Sequence, residues 1–225
     1  MCIVSFVIDE NKAIVTFNRD ENRHRLTEKV AWYKGEMYNY FCPIDKVGQG
    51  TWIGTNRKIV ATLQNGGLKK HTRTLPYRLS RGLILKKILE TNDIESYLNK
   101  NYLYNVEPFT ISILKIENKE FSIYRFDGEN MAIEKKNLIN TSIICSSTLY
   151  NENDIENIRI EFDKIEKKTA ATLFNFNEEF SIGKAKNNYT NLAETVSITQ
   201  FIIEETKITY TNFDLINSTK ESYEI

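Results

Sequence analysis

The chain has 225 residues, of which 41% are hydrophobic, and its 30 Lys and Arg residues balance its 30 Asp and Glu residues. This length and composition suit a soluble globular protein with a sizeable core, and a formal net charge of zero argues against nucleic-acid binding. Cys2, Cys42 and Cys145 are too few and too widely spaced for a disulfide framework. His24 and His71 have no partners at metal-ligand spacing, so we expect no metal site.

Targeting signals are not visible in the sequence. No stretch approaches the roughly 18 consecutive apolar residues that a membrane-spanning helix needs. The apolar run at the start covers about seven residues and has no charged region before it, unlike a secretory signal. We therefore expect a cytoplasmic protein with reduced thiols and without a membrane span. The sequence indicates no cofactor and does not reveal the oligomeric state.

The chain starts with a pattern that is typical of a β-hairpin. Residues 1–8 and 13–17 are apolar runs, and the polar residues 9–12 between them predict the turn. The second run is followed by Asn-Arg-Asp-Glu at positions 18–21, which we expect to mark the end of that strand.

A second hairpin is predicted further along, with arms at residues 51–54 and 58–63 and a polar cluster at 64–67. Apolar spacing then predicts a helix over residues 76–90 and a short one over 93–98. The remaining predicted elements are strands at 109–116, 120–126, 131–135 and 141–147, a helix at 154–175, and a final hairpin of 195–203 and 207–213 with Thr206 in its turn.

The order of these elements is strands, helices, strands, helix, strands. Segregated runs of this kind favour an α+β layered domain over alternating βαβ winding. We find no internal repeat and no linker-like segment, so we expect a single domain over residues 1–225.

Cys2 is the strongest candidate for a functional residue. Removal of Met1 would leave a thiol and a free α-amine on one residue, and such an amine can serve as the base for its own nucleophile. The predicted hairpin brings Arg19 and Asp20 back beside Cys2. An arginine near a thiol favours the thiolate, and an aspartate can orient the amine. The alternative is that Cys2 is a small apolar residue of a buried strand and that positions 18–21 form a solvated turn.

Three sequence blocks carry a family resemblance. The first block comprises Met-Cys-Ile-Val at the start together with Asn-Arg-Asp-Glu at 18–21. The second contains Gly-Thr-Trp-Ile-Gly at 50–54, and the third contains Ser-Arg-Gly at 80–82. These blocks, in this order, resemble the NRDE family, which is related to transport and Golgi organisation protein 2. The resemblance is carried by roughly the first 85 residues.

The resemblance implies the fold of N-terminal-nucleophile hydrolases, a four-layer αββα sandwich of two mainly antiparallel sheets flanked by helices. It implies a distant likeness to choloylglycine and penicillin V acylases, with Cys2, Arg19 and Asp20 at catalytic positions. It also implies that Asn65 donates to the oxyanion, although a simple turn role before Gly66 explains that residue equally well. The expected function is hydrolysis or acyl transfer on an amide or thioester.

Two positions depart from the family pattern and support an alternative. Relatives often have Ser-Asn where this chain has Ser146 and Ser147, and an arginine where it has Glu194 and Thr195. The resemblance therefore also allows a non-catalytic protein that binds haem or an acyl-CoA or other lipid ligand on the same fold. A purely structural or interaction protein is the third possibility.

Overall fold

A computed structural model describes residues 2–136, 140–183, 193–205 and 207–225. Met1, whose removal the sequence analysis anticipates, and Thr206, placed in the last turn, lie outside the described residues. Contacts group the chain into two compact units, one of Met1–His24 with Leu138–Ile225 and the other of Arg25–Asn137.

Within the described residues the chain forms thirteen strands and four helices. In chain order these are β1 (Ile3–Ile8), β2 (Lys12–Glu21), β3 (Thr27–Tyr33), β4 (Tyr40–Asp45), β5 (Ile53–Thr55), β6 (Ile59–Asn65), α1 (Arg81–Thr91), α2 (Ile94–Tyr97), β7 (Phe109–Lys115), β8 (Phe121–Phe126), β9 (Met131–Lys136), β10 (Asn140–Cys145), α3 (Glu152–Asp163), α4 (Ala170–Glu179), β11 (Glu194–Glu204), β12 (Lys207–Asp214) and β13 (Thr219–Glu224).

The first unit is built on a six-stranded antiparallel sheet in the order β10-β1-β2-β11-β12-β13. Helices α3 and α4 supply apolar side chains to a buried cluster with this sheet. Phe162 of α3 and Phe176 of α4 meet edge to face with ring centroids 5.4 Å apart. The cluster also holds Ile3, Ile14, Ile143, Cys145, Tyr150, Ile158, Leu173, Phe180 and Ile182.

The second unit is built on a seven-stranded antiparallel sheet in the order β3-β4-β5-β6-β7-β8-β9. Helix α1 packs on it because four apolar residues on one helix face, Ile84, Leu85, Ile88 and Leu89, are fully buried. The helix ends at Asn92, which has a left-handed backbone with φ of 57° and whose N–H donates to the carbonyl of Ile88.

The first hairpin is confirmed, but its second strand is longer than predicted. β2 continues through positions 18–21 to Glu21 instead of ending before them. It does so because β11 pairs with it along its whole length, from Lys12 opposite Glu204 to Glu21 opposite Glu194. The polar cluster therefore lies in a strand, with Asn18, Arg19 and Asp20 buried.

The helix predicted over 76–90 begins only at Arg81, with Ser80 at its N-cap. The residues before it are held in extended form by a neighbouring segment. The Arg78 N–H donates to the carbonyl of Asn105 over 2.9 Å, and Leu79 forms a bridge with Val106. The prediction that Pro76 lies in the first helical turn was therefore wrong.

The single helix predicted over 154–175 is two helices. Asn151 caps α3 by accepting from the N–H of Asp154 over 2.9 Å, with the reciprocal bond of a capping box. Thr169 caps α4 by accepting from the N–H of Thr172 over 3.2 Å. The extended backbone of Thr169 breaks the helical run, so a separate helix begins after this residue.

Two of the sequence blocks meet through their glycines in the second unit. A Cβ on Gly50 would lie 2.6 Å from the carbonyl carbon of Gly82, and one on Gly82 would lie 3.0 Å from the Gly50 Cα. The Thr51 N–H donates to the Gly82 carbonyl over 3.2 Å. The first turn of α1 thus packs backbone to backbone on the chain before β5.

Gly54 tests how closely α1 packs on the strands β4 and β5 of the second unit. An added Cβ would lie 2.8 Å from both Cys42 Cβ and Leu89 Cδ1 and 2.9 Å from the Phe41 carbonyl oxygen. We expect Gly54→Ala to lower the free energy of unfolding by about 1–3 kcal/mol, because neighbouring atoms must shift. Chemical denaturation measures this. Gly48→Ala is the matched control, since its Cβ would meet chiefly the flexible end of Arg25. Equal stability of the two variants would contradict the prediction.

Candidate functional site

Cys2 lies just before β1 and is only 4% exposed. Its carbonyl accepts from the Ser146 N–H over 3.0 Å, which extends the pairing of β1 with β10. In the hairpin, Val4 lies opposite Phe17, and continuing this antiparallel register by two residues aligns Cys2 with Arg19. Arg19 is itself 5% exposed, so a guanidinium is buried in the strand beside the one that Cys2 precedes.

Asp20 is the residue that the structure connects most directly to Cys2. Its main-chain N–H donates to the Cys2 sulfur. Asp20 is only 1% exposed, and its Oδ1 accepts from the Thr195 hydroxyl over 2.6 Å. Tyr150 also acts on this carboxylate and lowers its pKa. The predicted proximity of Cys2 and Asp20 is thus present in the described part of the first unit.

Burial dominates the electrostatics of this group. It raises the pKa of the Cys2 thiol above its usual value, and the charge of Asp20 raises that pKa further. Burial also raises the pKa of Asp20 to about 7, against the hydrogen bond from Thr195 and the influence of Tyr150, which both lower it. The pKa of Tyr150 is raised well above its usual value, first by burial and then by the Asp20 charge, so its phenol stays protonated at neutral pH.

Asn18 fixes the strand segment that carries Arg19 and Asp20. Its amide nitrogen donates to the Asn177 carbonyl over 2.7 Å, and the Asn177 amide nitrogen donates back to Asn18 Oδ1 over 2.9 Å. Ser5 of β1 donates to Asn177 Oδ1 over 2.5 Å. A fully buried amide pair therefore ties β1 and β2 to α4, and it limits the freedom of the adjoining charged residues.

Asn65 is the last residue of β6, in the second unit, where it pairs with Phe109. The chain turns directly after it, because Gly66 has φ of 85° and its N–H donates to the Pro108 carbonyl over 3.0 Å. Thr110 donates to the Gly66 carbonyl over 2.9 Å. Asn65 is therefore held at a fixed strand end, while Cys2, Arg19 and Asp20 belong to the first unit.

Both places that depart from the family pattern, Ser147 and Glu194–Thr195, lie in the first unit. The Ser146 hydroxyl lies 2.9 Å from that of Thr148. Glu194 forms an ion pair with Arg23 at 3.1 Å. Thr195, which the sequence analysis noted only as a departure, binds Asp20.

Thr195, Tyr150 and Asn177 are the site residues that sequence reasoning missed. Thr195 is 175 positions away from Asp20. No local pattern in the sequence signals a contact between residues so far apart. Only the pairing of β11 with β2 brings them together.

No group of three or more His, Cys, Asp or Glu side chains that could hold a metal ion occurs among the described residues. In the same part of the chain, no helix combines the length and apolar character needed to cross a membrane.

The chain is similar in fold to solved structures of a bile acid hydrolase. A conjugated bile acid hydrolase from Clostridium perfringens, in a variant whose cysteine at position two is replaced by alanine, matches with a TM-score of 0.64 and 9% identity, over 100% of this chain and 92% of that one. A second variant of the same hydrolase, with an arginine replaced by leucine, matches with a TM-score of 0.63 and 8% identity, over 98% and 92%. No match is found among curated proteins.

The two antiparallel sheets with their helices therefore have the fold of N-terminal-nucleophile hydrolases, and the predicted fold class is confirmed. The model of the family Transport and Golgi organisation 2 matches residues 1–222. The chain belongs to this family, which confirms the resemblance found in its sequence blocks.

Proposed function

We propose that this protein is a cysteine N-terminal-nucleophile hydrolase or acyltransferase that acts on an amide or thioester after removal of Met1. The observation that carries the proposal is the hydrogen bond between the Asp20 main chain and the Cys2 sulfur, beside an anchored carboxylate. The likeness in fold to a bile acid hydrolase that has a cysteine at position two supports it.

In the proposed reaction the Cys2 sulfur attacks the acyl carbon and forms a thioester to the enzyme. The Cys2 α-amine takes the thiol proton and passes it to the leaving nitrogen or sulfur as the substrate bond breaks. Water or another acceptor then attacks the thioester, loses a proton to the amine and releases the acyl group. Asp20 holds the amine, and Arg19 favours the thiolate.

Removal of Met1 is central to this proposal, because the Cys2 thiol is buried and its pKa is raised. A protonated, buried thiol is a poor nucleophile. A free α-amine on Cys2 supplies a base next to the thiol. The positively charged form of this amine offsets the negative charge of Asp20. Processing at position one therefore acts as the activating step.

A cleavable N-terminal extension tests the role of the amine. The chain is purified with a peptide ahead of Cys2, and half of the sample is cut so that Cys2 becomes the first residue. We expect labelling of the cut form by a thioester acyl probe, followed by intact mass, to be about 10²–10⁴-fold faster, which is the usual contribution of a general base. Equal rates for the two forms would refute amine-assisted catalysis.

The low exposure of Cys2 also favours a second candidate function, a protein that binds haem or an acyl-CoA or other lipid ligand without chemistry. Ser147 and Glu194, at positions that depart from the family pattern, support this alternative. Spectroscopic titration with haem and with acyl-CoA separates the two functions. Saturable micromolar binding without acyl transfer would favour the carrier, and acyl transfer would favour the enzyme.

A further inference from the structure

A main-chain hydrogen bond fixes the direction in which the Thr195 hydroxyl donates its proton. Its oxygen accepts from the Ile182 N–H over 2.8 Å, and the same oxygen lies 2.6 Å from Asp20 Oδ1. An N–H group can only donate, so the single hydroxyl proton of Thr195 is the one that reaches Asp20. Thr195 is 4% exposed, which keeps water from competing for this bond.

Tyr150, in the segment between β10 and α3, also acts on this carboxylate and lowers its pKa. Its side chain is buried, with 3% exposure, among the apolar residues that line α3 and α4. Its phenol keeps its proton at neutral pH. The buried carboxylate therefore accepts a hydrogen bond of fixed direction from Thr195 and has a neutral phenol in its surroundings.

We propose that Thr195 is a positioning residue, whose hydroxyl group holds the Asp20 carboxylate in the orientation and charge state that anchor the Cys2 amine. This inference rests on the proposed function and adds one residue to its machinery. It also gives the departure at position 195 a role, since a hydroxyl at this position donates to Asp20.

Other titratable groups also act on Asp20. Glu21, the next residue of β2, raises the pKa of Asp20 by its charge. Cys2 and Cys145, at the end of β10, also interact electrostatically with Asp20, and Arg159 of α3 acts on Cys145. Donation by Thr195 stabilises the carboxylate, and Tyr150 acts in the same direction. Removal of the Thr195 hydroxyl is therefore expected to raise the pKa of Asp20.

The test uses Thr195→Val, Thr195→Ser and Tyr150→Phe in the processed protein, with circular dichroism to check folding. The carboxyl ¹³C signal of Asp20, assigned by its loss in Asp20→Asn, is titrated in each. We expect a rise of about one pKa unit in Thr195→Val, as one hydrogen bond to a charged group predicts, and a rise in Tyr150→Phe as well. Thr195→Ser is expected to restore the wild-type titration. The acid limb of the pH profile for Cys2 acylation is expected to shift in each variant in the same direction as the pKa of Asp20.

The outcomes separate this inference from the proposed function. An unchanged Asp20 titration in folded Thr195→Val and Tyr150→Phe, with normal Cys2 acylation in wild type, overturns the inference and leaves the function standing. A shifted titration that Thr195→Ser restores, in a wild-type protein that is never acylated, supports the role of the Thr195 hydroxyl and overturns the function. A rate loss that does not depend on pH, with no shift in titration, marks a merely structural role and overturns the inference.

Discussion

Replacement of Cys2 by alanine is expected to reduce acyl transfer by roughly 10⁴–10⁶-fold or to abolish it, as removal of a covalent nucleophile does in comparable enzymes. Alanine at position two still permits removal of Met1, so the amine and the hairpin are kept and only the sulfur is lost. The measurement is the rate of hydrolysis of a thioester substrate, with intact mass to detect the acyl-enzyme.

Cys145→Ala is the matched control for this variant. Cys145 is also a buried cysteine of the first unit, with 9% exposure, and burial raises the pKa of its thiol to about 12. Loss of this thiol removes the same atoms without touching the proposed nucleophile, so the acyl-enzyme should still form. If Cys2→Ala were still acylated and Cys145→Ala were not, the reactive sulfur would be that of Cys145. This result would contradict the account.

The second large effect concerns the pH dependence of stability in protein that retains Met1. The pKa of Asp20 is raised to about 7 in the folded chain from an ordinary value of 3.8. A raised pKa means that the folded state binds the proton more tightly than the unfolded chain. The resulting stabilisation is full below about pH 4 and is lost as pH rises through 7. Relative to Asp20→Asn, the free energy of unfolding of wild type should fall by about 4 kcal/mol across this window.

Urea denaturation at pH 4, 5.5, 7 and 8 measures this difference. Asp163→Asn, at the exposed end of α3, controls for the loss of a carboxyl group as such. Asp20→Asn is also expected to slow acyl transfer in the processed protein, because an amide holds the amine less well than a carboxylate. If wild type and Asp20→Asn keep a constant difference in stability from pH 4 to 8, the pKa of the buried Asp20 carboxyl is not raised in the folded state.

The local parts of this fold could be predicted from sequence because their signals are local. Two apolar runs separated by four polar residues gave the first hairpin, and with it the neighbourhood of Cys2 and Asp20. The chain around β3 and β4 was not assigned because its periodicity is broken. β3 contains a register shift between Glu28 and Ala31, and β4 is buried along its full length. β13 was missed because most of its residues are polar and exposed.

The supporting residues of the site could not be predicted because they depend on long-range pairing. Asn177 reaches Asn18 across 159 positions, and only the packing of α4 on the sheet makes that contact. Likewise, the strand prediction ended before position 18 because polar residues usually end strands. In the structure, the side chains of Asn18 and Asp20 form buried hydrogen bonds with Asn177 and Thr195, and the segment pairs with β11, so the strand continues.

The most direct test is to locate the acyl group after reaction. The processed protein is incubated with a short-chain thioester, digested at a pH that preserves thioesters, and its peptides are sequenced by mass spectrometry. We expect one acyl group, on a first peptide that begins with Cys2, and none on that peptide in Asp20→Asn under the same brief exposure. A first peptide that still carries Met1 yet is acylated, or an acyl group on Cys42 or Cys145 alone, would contradict the proposal.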